Sequence, residues 1–256
     1  MTEITQLTFP GKGVWLGLAD LHLERGQQAR ENMVLHLLDK HADELEGIVL
    51  LGDIFDIWFG YKHAIFFQAI RLLARLKELA DKGVHIIYCE GNHDFRLTGF
   101  FQDYIGAVIC RRALLTIGEK TCYISHGDDV VAKERGYRLL RAAMSCKLMQ
   151  VLVSWLPVDW TFWLFGMLSR LSGKKTRKKK FNTDRYIRRF WPVIADYPID
   201  YIFSGHTHHE MKVDITVADR QARLFNPGLF RKRLFYILVA SAKVDMPLFD
   251  ILPPSA

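Results

Sequence analysis

The feature that most restricts how this chain can fold is a recurrent one: five short apolar runs, each closed by residues able to bind a metal ion. The runs are 14–19, 47–51, 84–89, 120–124 and 199–203. The residues that follow them are Asp20-Leu21-His22, Gly52-Asp53, Gly91-Asn92-His93-Asp94, Ser125-His126-Gly127-Asp128 and Gly205-His206-Thr207-His208. Runs this short, with β-branched or aromatic residues recurring in most of them, read as strands buried on both faces rather than as helices. Between the first three the period lengthens to 3.6 residues, first through Val34, Leu37, Leu38, His41 and Leu45, then through Ile65, Phe66, Ala69, Ile70, Leu73, Leu76 and Leu79. Strand and helix alternating in this way predict a layered α/β domain. Beyond residue 210 the pieces 211–217, 223–226, 234–240 and 248–252 are strand-like with no long helix between them, which predicts a second, more antiparallel sheet.

In a strand, residues i and i+2 share a face, so Asp20 with His22, and His206 with His208, are each expected to deliver two ligands to one place. Ligands bind at the carboxyl ends of strands in open α/β sheets, so all five endings are expected to converge on one cleft. The candidate ligands are Asp20, His22, Asp53, Asn92, His126, His206 and His208. One tetrahedral ion takes about four ligands, so this set fits two ions if a carboxylate bridges. Nitrogen and oxygen donors without thiolate suit manganese, iron or zinc better than calcium, copper(I) or an iron–sulfur cluster. Two ions about 3.5–4 Å apart are the arrangement used for in-line displacement at phosphorus. A single DxH or HxH is commonplace, whereas five such endings in this order are hard to obtain by accident.

The stretch 132–190 breaks the alternation and reads as a helical insertion, leaving 1–131 and 191–256 as the core domain. It carries Trp155, Trp160, Phe162, Trp163 and Phe165 around a break at Pro157. Nine basic side chains against one acid follow within 171–190, and the remaining residues, with 26 basic and 27 acidic, are close to neutral. An apolar half followed by a basic half is the order of a surface that meets lipid tails and then headgroups. The basic patch alone suits an anionic membrane leaflet or nucleic acid, and a core helix pair followed by a solvated lysine loop has the same composition. A membrane span needs about 20 apolar residues, and the longest candidate, 148–168, is broken by Gln150, Pro157 and Asp159. The N-terminus, with Glu3 and no apolar run before a cleavage site, predicts a cytoplasmic protein. Cys89, Cys110, Cys122 and Cys146 are irregularly spaced without a CxxC pair, so neither a zinc knuckle nor a disulfide framework is indicated.

The order DxH, GD, GNHD, HGD, GHTH resembles that of the calcineurin-like metallophosphoesterases over roughly residues 14–228. Within that superfamily GDIFDIWFG, GNHDF, SHGDD and GHTH look most like the UDP-2,3-diacylglucosamine hydrolases of lipid A synthesis, which carry a helical, acyl-chain-holding insertion between the fourth and fifth motifs. The resemblance implies a two-sheet sandwich flanked by helices, with the insertion as a cap. It also implies that Asp20, His22, Asp53 and His208 bind one divalent ion and Asp53, Asn92, His126 and His206 the other, with manganese the expected metal and a metal-held water the nucleophile. Asn92 and His93 would meet the phosphoryl group, His93 stabilising charge or protonating the leaving oxygen, Asp94 orienting its ring, and Tyr137 touching substrate. The implied substrate is UDP-2,3-diacylglucosamine, cleaved to UMP and 2,3-diacylglucosamine 1-phosphate at the inner face of a membrane.

Two positions depart from that pattern. Those hydrolases carry GNRD where this chain has His93, and GHTHRP where it continues His208-His209-Glu210, whereas His93 and Asn226-Pro227-Gly228 match the wider superfamily. A homologue acting on another lipid-linked, nucleotide or phosphodiester substrate is therefore the alternative. A nuclease would use the basic patch as a phosphate track but has no use for so apolar a helix pair beside it. A protein phosphatase is disfavoured because Gly52-Asp53-Ile54-Phe55-Asp56 lacks the GDxVDRG pattern and Asp94 stands in place of Glu. A non-catalytic scaffold would have lost ligands, and here no ligand position is substituted.

Overall fold

The computed structural model describes residues 4–24, 26–61, 65, 69–128, 155, 160, 181–230, 233–240 and 243–249. Alternation along the first buried strands sets the layers. Leu16 and Leu18, Ile48 and Leu50, and Ile86 and Tyr88 enter one apolar core, while Trp15, Val49, Ile87 and Cys89 enter another. A sheet that is apolar on both faces has to be covered twice. One six-stranded sheet runs in the order β15 (Lys243–Asp245), β14 (Ile237–Ala240), β2 (Val14–Leu18), β3 (Leu45–Leu50), β5 (His85–Cys89), β7 (Val108–Cys110). The second runs β1 (Thr5–Phe9), β8 (Arg112–Ile117), β9 (Lys120–Ser125), β10 (Tyr201–Phe203), β12 (Arg220–Asn226), β11 (Met211–Val217).

Helices cover the outer face of the first sheet. Helix α1 (Gln28–His41) buries Val34, Leu37 and Leu38, and α2 (Ile70–Asp81) buries Leu72, Leu73, Leu76 and Leu79 in the same core. Each such leucine contributes about 1.5–3 kcal/mol relative to exposure. The second core fills the space between the sheets, where Ala113, Leu115, Ile117, Cys122, Ile124, Phe203 and Phe225 meet the inner residues of β2, β3 and β5. The α/β two-sheet sandwich with flanking helices is the expected fold. Two helix limits differ from the reading of periodicity: Leu45 opens β3, and Ile65 is exposed and non-helical, with Phe66 outside the described residues.

Most strands after residue 210 join the two large sheets instead of forming one of their own. β11 and β12 make an antiparallel hairpin that joins the second sheet through a parallel β10–β12 pairing. β14 instead extends the first sheet beside β2, with Ile237 opposite Gly17 and Val239 opposite Trp15. That position buries Ile237 and Val239 between the sheets, which a separate sheet would leave uncovered. β13 (Leu234–Phe235) and β16 (Leu248–Phe249) form a two-stranded ribbon, as do β4 (Trp58–Phe59) and β6 (Asp94–Phe95). The fourth and fifth metal-motif runs, β9 and β10, lie in the second sheet, so the five strand ends expected to converge on one cleft come from two sheets.

The chain divides into two compact units, Met1–Asp128 with Pro192–Ala256, and Asp129–Trp191. Most of the expected insertion, including Tyr137 and the basic run 174–180, lies outside the described residues. Within the second unit Trp155 and Trp160 are strongly exposed, and the short helix Thr183–Ile187 is capped by Asn182, whose side chain accepts the Arg185 N–H at 2.8 Å. Among the described residues no helix is long and apolar enough to cross a membrane.

Candidate metal centre

The ligand-bearing residues are aimed by backbone turns rather than by the pleat of a strand. β2 ends at Leu18 and β10 at Phe203, before Asp20, His22, His206 and His208. The shared face expected of residues i and i+2 brings Asp20 and His22 together but does not hold for the other pair, because His208 turns to Asp20 and His22 while His206 turns to Asn92 and His126. Asp20, His22, Asp53, His206 and His208 all adopt positive φ, at 48°, 42°, 53°, 67° and 58°, and they make up five of the seven non-glycine residues in that region among the described residues. Each left-handed residue costs about 1–2 kcal/mol, and such strain gathers at functional sites.

Hydrogen bonds between loops hold these turns. His22 N–H donates to the Asp53 carbonyl at 3.0 Å and Leu23 N–H to Ile54 at 3.0 Å, zipping the first loop onto the second. His206 N–H donates to Asp20 Oδ2 at 2.8 Å, and His93 N–H to Asp53 Oδ1 at 2.9 Å. Two motif glycines are needed because of this crowding: a Cβ on Gly91 would lie 2.2 Å from Asp53 Oδ1, and one on Gly205 2.6 Å from Asp20 Oδ2.

The seven candidate ligands gather as two groups that share Asp53. On one side His22 Nε2 lies 3.9 Å from Asp20 Oδ1, 3.8 Å from Asp53 Oδ2 and 3.2 Å from His208 Nε2, with His208 Nε2 3.6 Å from Asp20 Oδ1. On the other, His126 Nε2 lies 3.4 Å from Asp53 Oδ2, 3.1 Å from Asn92 Oδ1 and 3.3 Å from His206 Nδ1, which is itself 2.8 Å from Asn92 Oδ1.

The donor set fits divalent cations. His126 Nδ1 lies 2.7 Å from the Leu51 carbonyl, and a carbonyl only accepts, so Nδ1 carries a proton and Nε2 is the atom turned to Asp53 and Asn92. A ligating histidine characteristically spends its second nitrogen in this way. Asp20 Oδ1 is buried with no hydrogen-bond partner while two imidazole nitrogens converge on it, a costly arrangement unless a cation is the partner.

Electrostatics prepare His206 and His208 for the same role. Burial pushes the Asp20 carboxyl up to about 6 despite its histidine neighbours. Burial also lowers His206 to about 4, helped by His126, and His208 to about 3, helped by His22. At neutral pH these two rings are uncharged lone-pair donors. Burial alone would raise Asp53 and lower His126, but their mutual attraction outweighs it, holding Asp53 well below and His126 well above the usual range.

His93 stands beside the first group, its ring edge-on to His22 at 5.1 Å between centroids. Its Nδ1 donates to the Asp56 carbonyl at 2.5 Å, which leaves Nε2 free. The expected orienting role of Asp94 is thereby taken by Asp56. Asp94 is buried and turned the other way, accepting from Asp53 N–H at 3.0 Å, Gly91 N–H at 2.9 Å and the Tyr88 hydroxyl at 3.0 Å. It braces the two loops that carry Asp53 and Asn92. Asp56 itself escapes the sequence reading: its carboxylate lies 3.7 Å from His22 Nδ1. The signal was the second aspartate of Gly52-Asp53-Ile54-Phe55-Asp56. Asn226, buried, donates to the Gly205 carbonyl at 2.8 Å and steadies the loop of His206 and His208. Tyr137 lies outside the described residues.

The family model for calcineurin-like phosphoesterases matches residues 16–210. Among curated relatives, a UDP-2,3-diacylglucosamine hydrolase of Pseudomonas syringae pv. syringae (strain B728a) is 25% identical over 241 residues, covering 92% of this chain and 96% of the relative. One of Stutzerimonas stutzeri (strain A1501) is 27% identical over 209 residues, covering 79% and 87%. Among solved structures, a novel archaeal phosphodiesterase aligns over 92% of this chain and 99% of its own at 13% identity, with a TM-score of 0.47.

Proposed function

The chain belongs to the calcineurin-like phosphoesterase family and is a metal-dependent phosphoester hydrolase, and from that premise we propose that it cleaves the pyrophosphate of UDP-2,3-diacylglucosamine to UMP and 2,3-diacylglucosamine 1-phosphate. The observation that carries this reading is the gathering of Asp20, His22 and His208 on one side of Asp53 and of Asn92, His126 and His206 on the other. Relatives named for that reaction, similar over nine-tenths of the chain, support the choice of substrate.

Asp20, His22, Asp53 and His208 would hold one divalent ion, and Asp53, Asn92, His126 and His206 a second, manganese in our reading; when bound, such ions would supply a hydroxide at neutral pH and offset phosphoryl charge. The oxygen of water ends on UMP, and the bridging oxygen leaves with the diacylglucosamine 1-phosphate. Asn92 turns its Oδ1 to His126 and His206, so its amide N–H groups are free to hold a phosphoryl oxygen in line. With Nδ1 committed to the Asp56 carbonyl, His93 presents Nε2 to the substrate: protonated, it donates to the leaving oxygen or stabilises its charge. Asp94 acts through the loops it braces. Tyr137 and the aromatic and basic insertion 132–190 meet the lipid. The exposed Trp155 and Trp160 suit a protein that rests on the cytoplasmic face of a membrane.

His93 in place of arginine favours a second reading, in which the same centre acts on another lipid-linked or nucleotide phosphoester. The test is mass spectrometry of products from UDP-2,3-diacylglucosamine in mixed micelles, with manganese-loaded protein, a His22→Asn control and bis-p-nitrophenyl phosphate in parallel. UMP and diacylglucosamine 1-phosphate, lost in the control, are expected. Hydrolysis of the artificial diester alone would give the second reading.

A further inference from the structure

Arg111 stands where two ligand-bearing loops approach the same strand junction. Cys110, the last residue of β7, is paired with Cys89 at the end of β5, and its carbonyl accepts the Glu90 N–H at 2.8 Å. Arg111 therefore follows directly beside the Glu90-Gly91-Asn92 turn. On its other side Arg112 pairs with Ser125, the residue before His126, at the end of the antiparallel β8–β9 ladder. The Arg111 guanidinium lies 3.7 Å from Oδ2 of Asp128, a buried carboxylate whose charge acts on both His126 and His206. At that distance the pair is ionic without a hydrogen bond. Among the described residues Arg111 donates no hydrogen bond, and its side chain is 40% exposed. The result is a forked cation, tethered by a buried acid, with its donors unspent at the flank of the Asn92, His126 and His206 group. Such a fork matches the oxygens of a phosphate.

A pyrophosphate diester carries one negative charge on each of two phosphates, whereas a simple phosphodiester carries one in all. In-line attack engages one phosphate at the ligand groups, which consist of carboxylates, an amide and imidazoles. The second phosphate needs a cation of its own, and Arg111 is placed to provide it. We infer that Arg111 binds the phosphate that is not attacked, and that it thereby selects pyrophosphates over simple phosphodiesters. This inference rests on the phosphoesterase reading but not on the identity of the lipid.

The test uses the full-length, manganese-loaded protein hydrolysing bis-p-nitrophenyl phosphate, with UDP-glucose as a competing soluble pyrophosphate. The quantity compared is the KM for the diester divided by the inhibition constant for UDP-glucose. Arg111→Ala is expected to lower that ratio at least tenfold, and Arg111→Lys, which keeps the charge but not the fork, to lower it less. Metal stoichiometry and thermal midpoint establish that each variant is folded. An unchanged ratio, or a wild-type protein that binds UDP-glucose no better than the diester, overturns the assignment and leaves Arg111 as a counter-ion for Asp128. If the wild type shows the ratio and its arginine dependence but leaves UDP-2,3-diacylglucosamine intact, the lipid assignment fails and the role of Arg111 stands.

Discussion

Replacing Gly91 with alanine tests whether the close packing of the motif loops is what places the shared carboxylate. The added Cβ would lie 2.2 Å from Asp53 Oδ1, 2.7 Å from Asp53 N and 3.0 Å from Asp53 Cγ. Carbon and oxygen approach comfortably only to about 3.3 Å, so the loops must part by about 1 Å. The backbone of Gly91 is not left-handed, so the expected loss comes from this collision and not from strain in the alanine itself. Overpacking of this kind costs about 1–3 kcal/mol of stability. A 1 Å displacement of catalytic groups costs about 100-fold in rate, equivalent to roughly 2.7 kcal/mol of barrier. Because Asp53 also receives the His93 N–H on the same oxygen, the displacement reaches both ligand groups and His93 together. The assay is metal content by mass spectrometry, thermal midpoint, and turnover of bis-p-nitrophenyl phosphate on one preparation. The reasoning is refuted by a Gly91→Ala protein that retains two metal equivalents and turns over within twofold of wild type.

Asp56→Ala removes the carboxylate beside His22 Nδ1 but keeps the carbonyl that holds His93, so it should weaken the ion on the Asp20 side by about 10–100-fold, measured by competition with a chelating dye; unaltered affinity would exclude an orienting role for that carboxylate. Asn92→Ala removes both a ligand and a phosphate contact and is expected to lower turnover by about two orders of magnitude or more, with near-normal turnover contradicting the two-ion assignment. Glu78 on α2 is held down at about 2 by hydrogen bonds from Lys82 and Arg75, against an ordinary value of 4.5. A depressed carboxyl supports the fold above its unfolded value and loses that support as pH falls towards 2, so a carbon-detected NMR titration should place its midpoint near 2, and one near 4.5 would dismiss the network. The Cys122 thiol is buried between the sheets and pushed up by that burial. It should resist iodoacetamide in the native protein and react once unfolded, as read by peptide mass mapping.

What the sequence makes legible here is what continuous apolar runs can encode. β2, β3, β5, β9 and β10 were visible because they are buried on both faces, and the candidate ligands stood out because each follows such a run. β1 was not: Thr5–Phe9 lies at a sheet edge with half-buried alternate residues, and its short polar alternation gives little signal beside a full run. The division of the strands between two sheets was also hidden, since the β9 and β10 runs look like the others and only pairing decides their neighbours. The left-handed turns at Asp20, His22, Asp53, His206 and His208 defy local prediction because side chains disfavour that region, and hydrogen bonds from distant loops hold them there. Asp94 shows the opposite error, a local inference too simple for the backbone. His93 ends a turn and Asp94 opens β6, and the chain there sends the Asp94 carboxylate towards Tyr88 and leaves the ring to Asp56.

The division of the ligand-bearing strands has a consequence for endurance. Asp20, His22, Asp53 and Asn92 follow strands of the first sheet, and His126, His206 and His208 follow strands of the second. An ion shared between such donors would act as a clasp at one end of the sandwich, and parting the layers would mean surrendering it. Ligand linkage makes this quantitative: free metal at 100 times its dissociation constant adds about 2.7 kcal/mol to the folded state. Metal supply would then bear on the endurance of the fold as well as on turnover.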